Sequence, residues 1–239
     1  MSVAIVTGAS RGLGRAVAAG LAAQGWSLVI DGREVTALDA AARDFRTSAG
    51  GGQVVAVPGD ITDAGHRDAL VGAAASLGGL DLVVNNAGTL GAAPLPALAD
   101  YPLAELRVAL EVNVVAPLGL IQVALPLLRG SDRPRIVNVT SDAGVEAYEG
   151  WGGYGAGKAA LDHLGAVLGV ELPTVTVWAV DPGDLRTDMH QAAFPGEDIS
   201  DRPEPESVVP AFLELVGSDR PSGRYRLGEL AASPNGAGS

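Results

Sequence analysis

Cysteine is absent from this 239-residue chain, which excludes disulfides and thiolate-held metals. Histidine is nearly absent. His66, His163 and His190 lie far apart, and no pair has metal-ligand spacing, so no metal site is expected. Basic residues are few: 16 Lys and Arg against 28 Asp and Glu give a net charge of −12. Such a chain gains nothing from a phosphate backbone or an anionic bilayer, so neither nucleic acid nor membrane is an expected partner. Any anionic ligand needs a local exception, such as a helix N-terminus or a specific arginine. No uninterrupted apolar run reaches the ~18 residues of a membrane span. The opening residues lack the form of a secretory signal, and the expected location is the cytoplasm.

What is present is apolar and glycine-rich: 47% hydrophobic residues and 33 glycines. That composition excludes disorder as the main state. Short apolar runs alternate with amphipathic segments. Strands are expected at Val3–Thr7, Ser27–Asp31, Gln53–Val57, Asp81–Asn85, Arg135–Thr140, Thr174–Val180 and, weakly, Arg224–Leu227. Helices are expected at Gly12–Gln24, Glu34–Ser48, Asp63–Ser76, Pro102–Leu128 with a bend near Pro117, Gly152–Leu172, Leu185–Phe194 and Glu206–Gly217. Near-uniform apolarity within the strands fits a parallel sheet covered on both faces. The βαβα order implies right-handed crossovers and a doubly wound α/β (Rossmann) sheet in a single domain, residues 1–230. Residues 231–239 are expected to be a flexible tail. Pro195–Pro205 is polar and proline-rich and reads as a loop or lid.

Thr7-Gly8-Ala9-Ser10-Arg11-Gly12-Leu13-Gly14 joins the first strand to the first helix. Glycines there let the backbone approach a pyrophosphate, and the helix start offers unpaired N–H groups. The spacing is Gly-x-x-x-Gly-x-Gly, so strand-turn-helix context carries the inference more than the glycines do.

With this turn the chain resembles the short-chain dehydrogenase/reductase family. The resemblance rests on an ordered set: Thr7–Gly14, Gly59-Asp60, Asn85-Asn86-Ala87-Gly88, Asn113, Ser141, Tyr154-Gly155-Ala156-Gly157-Lys158, and Asp181-Pro182-Gly183 followed by Thr187. Each motif alone has a plain structural explanation; the order is what is hard to reach by chance. The resemblance implies a seven-stranded parallel sheet with a dinucleotide across its carboxyl ends. It implies contacts from Gly8, Ser10, Arg11, Gly12, Leu13 and Gly14. Asp60 and Ile61 belong to the adenine side, Asn86 to the adenosine side, and Ala87 and Gly88 line the cofactor path. Pro182, Gly183, Leu185 and Thr187 meet the nicotinamide end. A homodimer or homotetramer is common in such proteins.

Tyr154 and Lys158 are four residues apart on an expected helix and so share one face. A free phenol, with a pKa near ~10, is a poor base, and a nearby ammonium lowers that value. Tyr154 is then the general acid/base for interconverting a carbonyl and an alcohol. Ser141 ends the fifth strand, where its hydroxyl can donate to a substrate oxygen. The resemblance adds that Lys158 holds the nicotinamide ribose and that Asn113 holds Lys158 through a water.

On the cofactor the residues divide. Arg11 and Arg33 stand where the family accepts the 2′-phosphate of NADP. Asp31 ends the second strand, where a carboxylate reads the 2′-hydroxyl of NAD. Alignment puts Gly32 at the discriminating position, so NADP(H) is favoured over NAD(H). Ala143, Tyr148 and Trp151 are candidate walls of a small-molecule substrate site, under a lid, Leu185–Pro205, with Met189, His190 and Phe194. The expected function is hydride transfer between NADP(H) and a carbonyl or secondary alcohol. The other reading is a dinucleotide-binding redox sensor without turnover.

Overall fold

The computed structural model describes residues 1–48 and 50–232. Seven parallel strands form one sheet: β1 (Val3–Val6), β2 (Ser27–Gly32), β3 (Val54–Pro58), β4 (Leu82–Asn85), β5 (Arg135–Val139), β6 (Thr176–Asp181) and β7 (Gly223–Arg226). Their order is β3-β2-β1-β4-β5-β6-β7, with every neighbouring pair parallel. The chain winds outward from β1 to β3 and returns to β4 on the other side of β1. A ligand crevice therefore opens at the carboxyl ends of β1 and β4.

Successive strand side chains point to opposite faces. Ala4, Val6, Leu28, Ile30, Val84, Val137 and Trp178 enter one core layer. Val3, Ile5, Val29, Val83, Ile136 and Val177 enter the other. The first layer is closed by α1 (Gly12–Ala23), α2 (Val35–Ser48) and α8 (Val209–Gly217). The second is closed by α3 (Ala64–Ser76), α5 (Ala116–Leu128) and the end of α6 (Gly152–Glu171). Two buried faces are the reason the strands read as apolar throughout.

Several expectations need correction. The segment expected as one helix bent at Pro117 is α4 (Leu103–Leu110), a π-turn at Glu111–Val115 and then α5. The irregularity precedes Pro117. That residue has no N–H for the carbonyl four residues back, Asn113, so regular α-helical bonding fails there. The helix expected from Leu185 is α7 (Asp188–Ala193), because the Thr187 hydroxyl accepts from the His190 N–H and caps it. Pro205–Val208 form a 3-10 turn ahead of α8. A helix that went unforeseen, α9 (Leu227–Ala232), follows β7. It takes in the first two residues of the expected tail; residues 233–239 lie outside the described residues.

Candidate active site

The glycine turn sits over the carboxyl end of β1. Gly8 and Gly12 have φ of +66° and +54°, a region that favours glycine. Gly14 is there for closeness: a Cβ on it would lie 2.4 Å from the Gly8 carbonyl oxygen and 2.3 Å from Asn86 Nδ2. Helix α1 starts at an extended Arg11 whose side chain makes no cap, and its first turn has no acid. Its leading N–H groups are thus left for an external anion. The turn is tied to the segment after β4. Thr7 Oγ1 accepts from the Asn86 and Ala87 N–H groups at 2.9 Å each, and Asn86 Nδ2 donates to the Thr7 carbonyl at 2.8 Å.

The flanks of this crevice carry the other expected binding residues. Ser10 lies over Gly32: a Cβ on Gly32 would be 3.1 Å from Ser10 Oγ. Arg33 is exposed beyond β2. After β3, the Asp60 carboxylate accepts from Thr62 N–H (2.9 Å) and Oγ1 (2.8 Å). These bonds, with Arg33 and His66 nearby, hold its pKa below the usual carboxylate value. Ile61 is buried beside it. Gly183 (φ +75°) turns the chain after β6, and Leu185 is buried. Thr187 faces Gly12 across 3.5 Å from where a Cβ would stand. Arg11 reaches Asp188 at 3.1 Å, with both side chains largely exposed. Asp31 faces away from the crevice: its carboxylate takes the Gly8 N–H at 2.6 Å. An uncapped helix start, a turn that only glycine fits and exposed arginines at its edge suit an anionic dinucleotide.

Tyr154 and Lys158 lie one turn apart on α6, both buried. Lys158 is the only lysine in the chain. Its Nζ donates to the Val139 carbonyl at 2.8 Å and stands 5.4 Å from the centroid of the Tyr154 ring. Burial pulls its pKa down to about 8, against the pull of Asp162. The expected lowering of Tyr154 is reversed here. Burial raises its pKa above the ordinary phenol value, Asp181 and Asp142 add to the rise, and a hydrogen bond with Ser141 opposes it. The phenol is therefore held protonated. Ser141 Oγ accepts from the Ala143 N–H (3.2 Å) and donates to Asp142 Oδ1 (2.9 Å).

Asn113 lies in the π-turn, 1% exposed. Its side chain is engaged with Thr89: Oδ1 accepts the Thr89 N–H (2.9 Å) and Nδ2 donates to the Thr89 carbonyl (2.8 Å). It has no direct bond to Lys158, yet the two converge on Gly88. A Cβ on Gly88 would be 3.2 Å from Asn113 Oδ1 and 3.8 Å from Lys158 Nζ.

Over Tyr154 runs an aromatic row. Trp151 meets it edge-on at 5.7 Å, Phe194 meets Trp151 at 5.9 Å, and His190 meets Phe194 at 5.0 Å. Trp151 and Phe194 thus join wall to lid. Tyr148 turns outward: its hydroxyl lies 3.0 Å from Asp142 and 2.9 Å from Glu146. With Ala143, Trp151 and Leu98 it lines a cavity of about 310 Å³.

Sequence reasoning missed Asp142, His66 and Arg224. Arg224 ties Asp162 (3.2 Å), Asp181 (2.9 Å) and the Ser141 carbonyl (3.1 Å) together at the edge of the sheet. The Lys158–Asp162 spacing of four was a visible signal. That spacing points only to the Arg224 cluster; the roles of Asp142 and His66 depend on which segments meet in space.

Comparison with known proteins gives a consistent result. Residues 2–198 match the family model for short chain dehydrogenase. The chain is 36% identical to the sepiapterin reductase of Rattus norvegicus over 202 residues, 80% of this chain and 77% of that one. A short chain dehydrogenase from Pseudomonas syringae superposes with a TM-score of 0.88 at 29% identity, covering 95% and 94% of the two chains. One from Shigella flexneri 2a, complexed with NADP, gives 0.87 at 29% identity over 95% and 97%.

Proposed function

The chain belongs to the short-chain dehydrogenase family, and we propose that it reduces a small carbonyl compound with NADPH, Tyr154 giving the proton. Oxidoreduction at CH–OH and C=O groups is the family's chemistry. The observation that carries the finer reading is the buried Tyr154, one helical turn from the only lysine, with the Lys158 Nζ 5.4 Å from its ring.

When bound, the dinucleotide supplies the hydride. The rest falls to the chain. The Tyr154 hydroxyl, kept protonated by its surroundings, passes its proton to the substrate oxygen. Ser141 Oγ, its proton turned from Asp142 Oδ1 to the substrate, donates to that oxygen as charge develops on it. The Lys158 ammonium, now donating to the Val139 carbonyl, favours the phenolate left behind and would hold the ribose hydroxyls of the dinucleotide. Asn113 holds the Thr89 backbone, and so the wall at Gly88, and a water between it and Lys158 completes its role. The free N–H groups of Ser10, Gly12, Leu13 and Gly14 would receive the pyrophosphate, while Gly8, whose own N–H is taken by Asp31, leaves it room. Asp60 and Ile61 would hold the adenine side, Asn86, Ala87 and Gly88 the path along the cofactor, and Pro182, Gly183, Leu185 and Thr187 the nicotinamide end.

Three facts support NADP over NAD: exposed Arg11 and Arg33, glycine at position 32, and the inward Asp31. That the Shigella flexneri protein holds NADP supports the same choice. The location proposed is the cytoplasm. Helix Leu103–Leu128 is long and apolar enough to cross a membrane, but it packs on the sheet through Leu120, Ile121, Ala124 and Leu128.

The test is loss of NADPH absorbance across a panel of ketones and aldehydes, with NADH in parallel. Tyr154→Phe should cost on the order of 10²–10⁴ in kcat/KM with dinucleotide affinity kept. Turnover that survives Tyr154→Phe would refute the role of the phenol. Intact dinucleotide binding with no turnover of any carbonyl would favour a redox sensor.

A further inference from the structure

Beneath the glycine turn lies a buried acid–histidine pair that the proposed reaction does not use. Gly32, the last residue of β2, faces Ser10 and Leu38. Side chains alternate along a strand, so Asp31 faces the other way, toward α3. Both of its oxygens are engaged. Oδ1 accepts the Gly8 N–H at 2.6 Å, and Oδ2 stands 3.2 Å from His66 Nε2. The side chains of Asp31 and His66 are 3% and 7% exposed.

The His66 ring has a fitted place. A Cβ on Gly59 would come within 2.3 Å of Nδ1, so the ring packs against backbone that only glycine leaves open. The backbone that carries the ring is fixed as well, because Asp63 Oδ1 accepts the His66 main-chain N–H and caps the first turn of α3.

A buried carboxylate stays buried only while its lone pairs are satisfied. Without His66, Oδ2 loses its donor, and rotation of the Asp31 side chain can carry the charge toward the crevice beside Gly8 and Ser10. A carboxylate turned into that space favours a ribose hydroxyl and repels a phosphate.

We propose that His66 is a positioning residue for cofactor choice: by holding the Asp31 carboxylate under Gly8, it keeps the adenosine end of the crevice open to a 2′-phosphate. This rests on the NADP reading above and adds the device that permits it. The two arginines attract the phosphate; His66 withdraws the one acid whose place at the end of β2 would oppose it.

The test uses the full chain and binding alone. Affinities for 2′,5′-ADP and 5′-AMP are measured by calorimetry for the wild type, His66→Ala, His66→Gln, Asp31→Asn and the Asp31→Asn/His66→Ala double variant. The ratio of the two affinities should fall about tenfold in His66→Ala, the effect of ~1.4 kcal/mol of new repulsion. Glutamine keeps a donor and should retain most of the ratio. In the double variant the ratio should return, since an amide still accepts the Gly8 N–H but carries no charge. A merely structural role would weaken both ligands alike and leave the ratio unchanged, which overturns the proposal and leaves the NADP reading standing. If His66→Ala does not fold, Asp31→Asn decides: its ratio should equal or exceed the wild type, and a fall overturns the proposal. A wild type that prefers 5′-AMP refutes the NADP reading, and this inference with it.

Discussion

Fifteen of the sixteen basic side chains are arginine, and the one lysine is buried beside Tyr154. Arginine stays charged at any working pH, whereas a buried lysine titrates. Burial brings Lys158 from its ordinary 10.5 to about 8. Between those values the unfolded chain holds a proton that the folded chain has released, so this group makes the protein more stable as pH rises from about 8 to 10.5. Tyr154 acts oppositely. Its folded pKa is raised, so above the ordinary 10.0 the unfolded chain loses a proton the folded one keeps, and stability falls. For catalysis the expectation is sharper. The kcat/KM for carbonyl reduction should be level below about pH 8 and decline above it, as the ammonium that steadies the phenolate is lost. Because there is one lysine, a ¹⁵N-lysine sample has a single Nζ resonance to titrate. A midpoint at the ordinary lysine value would refute this account of Lys158.

Glycines in two helices separate closeness from mere flexibility. At the start of α1, Gly14→Ala drives a methyl into the Gly8 carbonyl and the Asn86 amide, so the turn after β4 must move off the helix. Overpacking of this kind costs about 1–3 kcal/mol, and dinucleotide affinity should fall with it. In α3, Gly72 has open space where a Cβ would stand, so Gly72→Ala should stabilise by ~0.5–1 kcal/mol. Denaturant unfolding of the two variants reads both signs; destabilisation at Gly72 or neutrality at Gly14 would contradict the geometry. The same contrast explains what was legible beforehand. Strand apolarity, the glycine turn and the Tyr154–Lys158 spacing are local patterns, and the sheet and the shared helix face of Tyr154 and Lys158 followed from them. The π-turn was half legible: Pro117 signalled a break, but where the break falls depends on Asn113 binding Thr89, 24 residues earlier. The direction of Asp31 was illegible because its partners, Gly8 and His66, come from two other segments. Ser141 could be singled out, yet its proton goes to Asp142, a neighbour whose side-chain direction no periodicity encodes. Helix α9 stayed hidden because its six residues are too few to display a period.

A chain of net charge −12 should repel its own copies, yet one side of it is apolar. Along Leu103–Leu128, Leu103, Val108, Val115 and Val123 are exposed, and on α6 so are Val167 and Val170. Val115 and Val123 lie about two turns apart, from the end of the π-turn along α5, and Leu103 and Val108 lie on the helix before it. Exposed apolar residues on a monomer are usually scattered singly, so a row of them marks a contact surface. A homodimer or homotetramer built on this face is the assembly we propose. A symmetric pair places each row against its own copy, so one substitution changes the contact twice. Light scattering should therefore return a multiple of the chain mass for the wild type and the single-chain mass for Val115→Glu, with the far-ultraviolet spectrum unchanged. Salt tells what holds the contact. Ion pairs across an interface weaken as salt rises, but an apolar contact between two acidic bodies strengthens, because salt screens the repulsion and leaves the burial of surface intact. Dissociation on dilution should thus be suppressed between low and physiological ionic strength. A wild type that is monomeric at high salt would show that the valine row has another occupant.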